Sequence, residues 1–332
     1  MGSALNRYVN FVIAKNICHN ALNKIMFFCG IISNTTGIEL RNIDILNGVQ
    51  LIHNYFANYF FYANITPDDI HGCRILEVGP GDNFGVALSF IAAGAKQVVC
   101  LDKYEQPRSQ NNESLIYKAL AQSLSGDALR RFNEAIIFLP DQGYQLNPER
   151  IRYVTGTGIE NADTVLEPGF DYIVSTGVLQ YIAQLDKTFR VMDHLLVPGG
   201  TMVHCVDLSD PGVSFSQYGH HPLTFLTIPE PIYRLMTSAS PKASRYRASY
   251  YIRQLEGLGH RVTLYANNLV GIASLPEALP YDSDNFPAVS KRLVDAIRPR
   301  LAKSFRQCPD KELMISGIFF ASRKPAAAPT RA

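Results

Sequence analysis

The stretch Arg74-Ile75-Leu76-Glu77-Val78-Gly79-Pro80-Gly81-Asp82-Asn83 gathers residue types that chemistry can use. An apolar run ends around an acid, two glycines flank a proline, and a second acid follows. The run reads as a short buried strand, the glycines as a sharp turn, and Phe84 to Ala93 as a helix. Strand, glycine turn and helix opening together make a platform where backbone N–H groups and a close backbone approach can hold a nucleotide-like ligand. A further acid, Asp102, closes the next apolar run, Gln97 to Asp102. It stands about twenty residues past the glycines, where a carboxylate can accept both hydroxyls of a ribose.

The ligand is not a dinucleotide. That fingerprint wants a small residue three places after its second glycine, so that helix and strand pack closely. Here the place holds Phe84, and an acid, Glu77, precedes the first glycine. No G-K-[ST] follows, so the turn is not a P-loop either.

The stretch resembles motif I of the class I S-adenosylmethionine-dependent methyltransferases, whose first strand ends in [DE]-x-G-x-G. The methionine end of that cofactor carries an ammonium, a carboxylate and a sulfonium, which suits an acid beside a glycine turn. The neighbouring motifs follow in order. Gly158-Ile159-Glu160-Asn161 resembles the stretch that brackets adenine. "FDYIVSTGVLQYI" resembles the fourth-strand motif, and "LLVPGGTMVHCVD" the helix, P-G-G turn and fifth strand. "LMISGIFFASRK" is similar to the late antiparallel strand, expected at the sheet edge. The resemblance implies S-adenosyl-L-methionine held by Glu77, Gly79, Pro80, Gly81, Asn83, Phe84, Asp102, Lys103, Ile159, Glu160, Ser175, Thr176 and Gly177. It also implies a Rossmann-like α/β fold, a seven-stranded and mostly parallel sheet.

Methyl transfer from a sulfonium requires chiefly that a nucleophile be aligned with the S–CH₃ bond. A hydroxyl acceptor also needs a base for its proton. Candidates lie at the carboxyl ends of the fourth and fifth strands or just beyond, where open α/β sheets bind ligands. These are His220, His221, His204, Asp207 and Tyr181, with Gln180 and Asp210 beside them. His is half-neutral near physiological pH without a large shift, which favours the His220-His221 pair. "HCVDLSD" is similar to a stretch of bacterial small-molecule methyltransferases ending D-L-x-D-H, but Pro211 stands where that His would be. His204, Asp207 and Asp210 could instead take a divalent ion, although such sites usually want more carboxylates, so no metal is expected. The acceptor expected is a hydroxyl of a sugar or specialised metabolite. Two rivals stay open: a non-methylating rearrangement, cyclisation or decarboxylation with the same cofactor, and a non-catalytic partner subunit.

The elements that position these residues alternate from Cys73 onward, which argues for a mostly parallel sheet. The expected strands are Cys73–Val78, Gln97–Asp102, Ile151–Thr155, Asp171–Ser175, Thr201–Val206, Arg261–Ala266 and Leu313–Ser322. Expected helices include Asp186–Leu196, Ala243–Gly257 and Val289–Leu301. Residues 1–70 read as a helical cap, with helices over Ala4–Gly30 and Ile43–Ala63. On the first, Leu5, Val9, Val12, Ile13, Ile17 and Leu22 fall mostly on one face, opposite a row of asparagines. Residues 71–323 read as the main domain, with insertions at about 103–150 and 210–241, and 324–332 as a disordered tail. The first insertion, with a helix over Glu113–Leu124, reads as surface decoration. Cap and insertions together would roof the cleft, which suits a small molecule.

Bulk properties exclude other classes. The chain has 332 residues, 47% hydrophobic, and can bury a large core. A net charge of +2, with no cluster of basic and aromatic residues, gives no case for nucleic acid. "IMFFCGIIS" is too short to span a bilayer, and Lys15 and Lys24 interrupt any signal-peptide core. Six cysteines show no C-x-x-C pair, which favours a reducing compartment, and the expected location is the cytoplasm. A charged fraction of only 18% with 17 Tyr and 18 Phe leaves room for a homodimer interface or an aromatic-lined pocket.

Overall fold

The computed structural model describes residues 2–28, 44–106, 108–139, 143–210, 221–237, 244–272, 275 and 277–327. Two helices lead, α1 (Gly2–Phe28) and α2 (Ile45–Ala63), followed by the short α3 (Pro67–Ile70). The alternating part then runs β1 (Arg74–Val78), α4 (Gly85–Ala93), β2 (Gln97–Asp102), α5 (Gln110–Gln122), α6 (Gly126–Ala135), β3 (Ile136–Leu139), β4 (Gly143–Leu146) and β5 (Ile151–Thr155). It continues through β6 (Phe170–Thr176), α7 (Leu185–Leu195), β7 (Leu196–Asp207), α8 (Glu230–Thr237), α9 (Ala248–Glu256) and β8 (Arg261–Leu269). The last elements are β9 (Leu279–Pro280), α10 (Ala288–Ile297), α11 (Asp310–Met314) and β10 (Ile315–Arg323).

The main sheet has the order β5-β2-β1-β6-β7-β10-β8-β9. Strands β5, β2, β1, β6 and β7 pair in parallel, and β10 pairs antiparallel with both β7 and β8. The seven expected strands are all there, with the two-residue β9 added outside β8. The antiparallel strand is not at the edge, however. Both edges of β10 are used, paired with β7 on one side and with β8 on the other, while helices bury Ile315, Ile318, Phe319 and Phe320 on its faces.

Strands buried on both faces read as apolar runs because helices cover both sides. On one side Ile75, Val98, Cys100, Val174, Val203 and Phe319 meet residues of α2, α4, α5 and α6. On the other, Leu76, Leu101, Ile173, Met202, Ile318 and Phe320 meet α7 and α9. Helix α4 is apolar all round and almost wholly buried, and Gly94 (φ +119°) ends it. Asp44 caps α2, its side chain accepting from Asn47 N at 3.1 Å.

The first insertion departs from the expectation of surface decoration, and the described part of the second is anchored in a core as well. In the first, Ile116, Tyr117 and Leu120 of α5, Phe132 of α6 and Tyr144 of β4 belong to the same core as β1. In the second, Leu223, Phe225, Leu226 and Met236 form a third core with Val12 of α1 and Val294 of α10. The polar and turn residues of these segments conceal that alternation with apolar anchors. Helix α1 is also rotated from its expected face. Val9, Val12, Ile13 and Ile17 pack inward as expected, but Leu22 is exposed while Asn16 and Asn20 are buried. Asn20 Nδ2 donates to Leu235 O at 2.7 Å, so the helix turns an amide toward the end of α8. The start of the tail is pinned as well: Gly199 N donates to Pro325 O and Lys324 Nζ to Leu196 O. Residues 328–332 lie outside the described ones.

Candidate active site

Beyond β1 the backbone turns through Gly79 (φ +69°) and Gly81 (φ +72°), left-handed values that favour glycine. The two glycines serve different ends. A Cβ on Gly79 would stand 2.5 Å from Val178 Cγ2, so that residue lets the turn pack against the loop after β6. A Cβ on Gly81 would meet nothing within 4 Å, which leaves backbone open for a ligand to approach. Pro80 is buried between them. Asn83 Oδ1 accepts from Gly85 N at 2.9 Å and holds the start of α4. Phe84 is buried, and its backbone N donates to the Tyr117 hydroxyl at 2.6 Å.

Glu77 and Asp102 stand on either side of this turn. Glu77 is buried, and burial pushes its carboxyl up to about 7, opposed by the Cys100 thiol that donates to Oε2 at 3.5 Å and by the nearby Arg108 guanidinium. Asp102 is half-buried and also raised by burial, opposed by the backbone N–H of Tyr104, by Arg108 and by the N–H of Lys103. An acid held partly out of water in this way gains by meeting a cation or hydroxyl donors. Lys103 reaches over to Glu160, with Nζ to Oε1 at 2.9 Å. Ile159, expected beside adenine, is instead committed to the core with Val78, Leu101 and Leu179. At the end of β6, Thr176 Oγ1 shares a hydrogen bond with the Tyr59 hydroxyl of α2 at 2.9 Å. Gly177 (φ +70°) donates its N–H to Cys205 O at 3.0 Å. Ser175 does not face the cleft. Its side chain lies on the opposite face of the strand from that of Thr176, fully buried.

The histidines are placed otherwise than expected. His204 is completely buried, its Nδ1 paired with Ser175 Oγ at 2.7 Å and its ring against Phe320. Burial pushes its pKa down to about 3, so it stays neutral and out of reach of an acceptor. His221 is tied down at both nitrogens: Nδ1 accepts from Leu223 N at 3.1 Å, so Nε2 carries the proton and donates to Leu293 O at 2.6 Å. It fastens the third core to α10. His220 lies outside the described residues. Two of the expected candidates remain at the cleft end of the sheet. Asp207 is exposed, with Oδ1 accepting from Ser209 N at 2.8 Å. Tyr181 is partly exposed; burial and then the Asp207 charge raise its hydroxyl, which therefore keeps its proton. Asp210 is buried, toward Tyr233. Among the described residues no three His, Cys, Asp or Glu side chains converge in a way that would hold a metal ion.

Five parallel strands in the order β5-β2-β1-β6-β7, an inserted antiparallel β10, and a glycine turn between two acids at the carboxyl ends of β1 and β2 specify one architecture. It is the Rossmann-like, mostly parallel α/β sheet expected from the sequence. No protein-family profile matches the chain, and no curated protein does. Among solved structures it is similar to the YcgJ protein from Bacillus subtilis, at 12% identity and a TM-score of 0.42 over 82% of this chain and 99% of that one. An S-adenosylmethionine-dependent methyltransferase from Mesorhizobium loti matches at 17% identity and 0.35, over 77% and 93%. The phosphoethanolamine N-methyltransferase 2 of Haemonchus contortus matches at 16% and 0.38, over 87% and 61%.

Within this fold the sequence motifs miss a group of residues from the first insertion. Arg108 Nη2 donates to Gly81 O at 3.2 Å, and its guanidinium lies 3.7 Å from the Phe84 ring centroid. Glu113 is buried and accepts from the Tyr144 hydroxyl at 2.6 Å and the Tyr117 hydroxyl at 3.2 Å. Tyr59 of α2 is missed too. Only the i, i+4 and i+7 spacing of Tyr55, Tyr59 and Tyr62 hinted that one face of α2 meets the sheet.

Proposed function

We propose that the chain binds S-adenosyl-L-methionine over the carboxyl ends of β1 and β2 and transfers its methyl group to a small-molecule acceptor, a hydroxyl of a sugar or specialised metabolite. One observation carries this reading. Two partly desolvated acids, Glu77 and Asp102, flank a turn whose Gly81 has open space where a Cβ would stand. That pair of acceptors fits the cofactor's ammonium on one side and its ribose hydroxyls on the other, and it does not fit a pyrophosphate. When bound, the cofactor supplies a methyl group already made electrophilic by the sulfonium.

The chain's own residues then hold, orient and exclude water. Glu77 accepts from the ammonium, and Asp102 accepts from the ribose. Helix α2 covers the sheet beside the end of β6, with Tyr59 fastened to Thr176. With His204 and His221 committed to packing, Asp207 accepts the acceptor's proton and Tyr181, still protonated, donates a hydrogen bond that orients it. In this reading the protein works in the cytoplasm, on no nucleic acid. Incubation of cell extract with methyl-labelled cofactor tests the activity. The expected result is one labelled small molecule with stoichiometric release of S-adenosylhomocysteine. Cofactor consumed without that release would replace methyl transfer by a rearrangement, cyclisation or decarboxylation.

A further inference from the structure

We infer that the outer face of α1 docks the protein on an anionic lipid surface, the helix lying flat with its apolar side chains below the headgroups. The inference is independent of cofactor and acceptor.

Helix α1 is apolar on two opposite faces. Its inner face, with Val9, Val12, Ile13 and Ile17, is used in the third core, and Asn20 ties it to the end of α8. Phe11, Cys18, Leu22 and Ile25 follow one another at spacings of seven, four and three residues. At about 100° per residue they fall within about 60° of one another, on the far side of the helix from Val9 and Ile13. Phe11 is 64% exposed, Leu22 53% and Ile25 61%, and Cys18 is exposed with them. An apolar stripe that the fold does not consume marks a contact with something else.

Charge selects the occupant. Residues 1–38 hold Arg7, Lys15 and Lys24 and no acid, and Lys15 is exposed beside the stripe. The stretch 291–307 adds Lys291, Arg292, Arg298, Arg300, Lys303 and Arg306 against Asp295 alone. It hangs on the same core as α1, through Val294, Ile297 and Leu301. The whole chain has 31 Lys and Arg against 29 Asp and Glu, so these two stretches concentrate positive charge on a protein that is acidic elsewhere. A second copy of the chain would set cation against cation across this face. Nucleic acid would meet the charge and leave phenylalanine, leucine and isoleucine in water. An anionic headgroup layer over acyl chains satisfies both. Among the described residues no helix is long and apolar enough to cross a membrane, so α1 lies on the surface.

Sedimentation of the full chain with vesicles tests this, using phosphatidylcholine alone and phosphatidylcholine mixed with phosphatidylglycerol. The wild type should bind the mixed vesicles at least about tenfold more tightly, and added salt should weaken that binding. Phe11→Asp and Lys15→Glu, both at exposed positions, should each weaken it by about tenfold with thermal melts unchanged. The chain has no tryptophan, so Phe11→Trp supplies a single fluorescent reporter on the stripe. Brominated lipid in the mixed vesicles should quench it, and should leave Ile137→Trp, at an exposed position on β3, unquenched. If Phe11→Asp does not fold, the two tryptophan variants carry the test. No binding, equal binding to both kinds of vesicle, or binding without quenching of Phe11→Trp would overturn the assignment. So would a concentration-dependent dimer, seen by light scattering and lost in Phe11→Asp, on a protein that leaves vesicles unbound; that result would give the stripe to a second copy.

Discussion

The two ends of the cleft use polar residues in opposite ways. At the β1–β2 end, burial raises the carboxyls of Glu77 and Asp102, and Gly81 has open space where a Cβ would stand. At the β6–β7 end, Ser175 and His204 look equally chemical in sequence, yet they hydrogen-bond each other inside the core. The difference is one of geometry. A residue inside a left-handed glycine turn has little use except to shape a site, whereas a polar residue on a strand can face either layer of helices. His204 pairs across the strands with Phe320, and both rings lie on the α7–α9 side, away from α2. Asp207, three residues on, emerges on the other side of β7 and at its end.

The sharpest way to break this contrast is to ask which group at the β6–β7 end moves the proton. Asp207→Asn keeps the side-chain oxygen that accepts from Ser209 N, and so should preserve the loop. With a hydroxyl acceptor it should lower kcat by about 10² to 10⁴ with cofactor affinity hardly changed. A near-wild-type kcat would leave His220 or alignment alone to account for the rate.

Glu77 sharpens the other end through stability. Its folded-state pKa of about 7 lies above the unfolded value, so the folded chain prefers the protonated form. The sign for an acid raised on folding is that its stabilising contribution is full below the unfolded pKa. It is then lost as pH rises from about 4.3 to about 7 and stays lost above that. Glu77→Gln should therefore be more stable than the wild type at pH 8, by roughly 4 kcal/mol at most, and similar to it near pH 4. The same variant should bind the cofactor worse, as expected where a site holds a group at the expense of stability. Parallel melting curves at both pH values check it; equal differences at the two would contradict the burial argument.

His204→Ala should behave in the reverse manner. It removes a packed ring and leaves Ser175 Oγ buried without its partner, which should cost about 2 kcal/mol of stability. Turnover by the folded fraction should stay within about threefold of wild type. A large loss of kcat at unchanged stability would return His204 to the chemistry.

These outcomes bear on what was legible in the sequence. The five central strands were readable because helices on both faces force unbroken apolar runs, and the glycine turn was readable because its conformation restricts the residue type. The placement of β10 inside the sheet was not, since nothing in its own residues says that β8 and β9 lie beyond it. Arg108 was invisible for a related reason. It is one cation in a polar loop, and its use depends on Tyr117 and Tyr144 folding under it from further along the insertion. His221 shows the converse. A histidine in a loop rich in His, Pro and Ser reads as available, but both nitrogens are consumed by backbone groups that no spacing rule connects to it.

The central claim is that the β1–β2 end of the cleft holds S-adenosylmethionine, and calorimetric titration of that cofactor into the wild type and Asp102→Ala tests it most directly. The wild type should bind it and bind NAD more weakly. Loss of the Asp102 carboxylate should weaken the cofactor by roughly 1–3 kcal/mol through the hydrogen bonds it accepts from the ribose. Equal affinity in the two proteins, or tighter binding of NAD than of S-adenosylmethionine, would contradict the account.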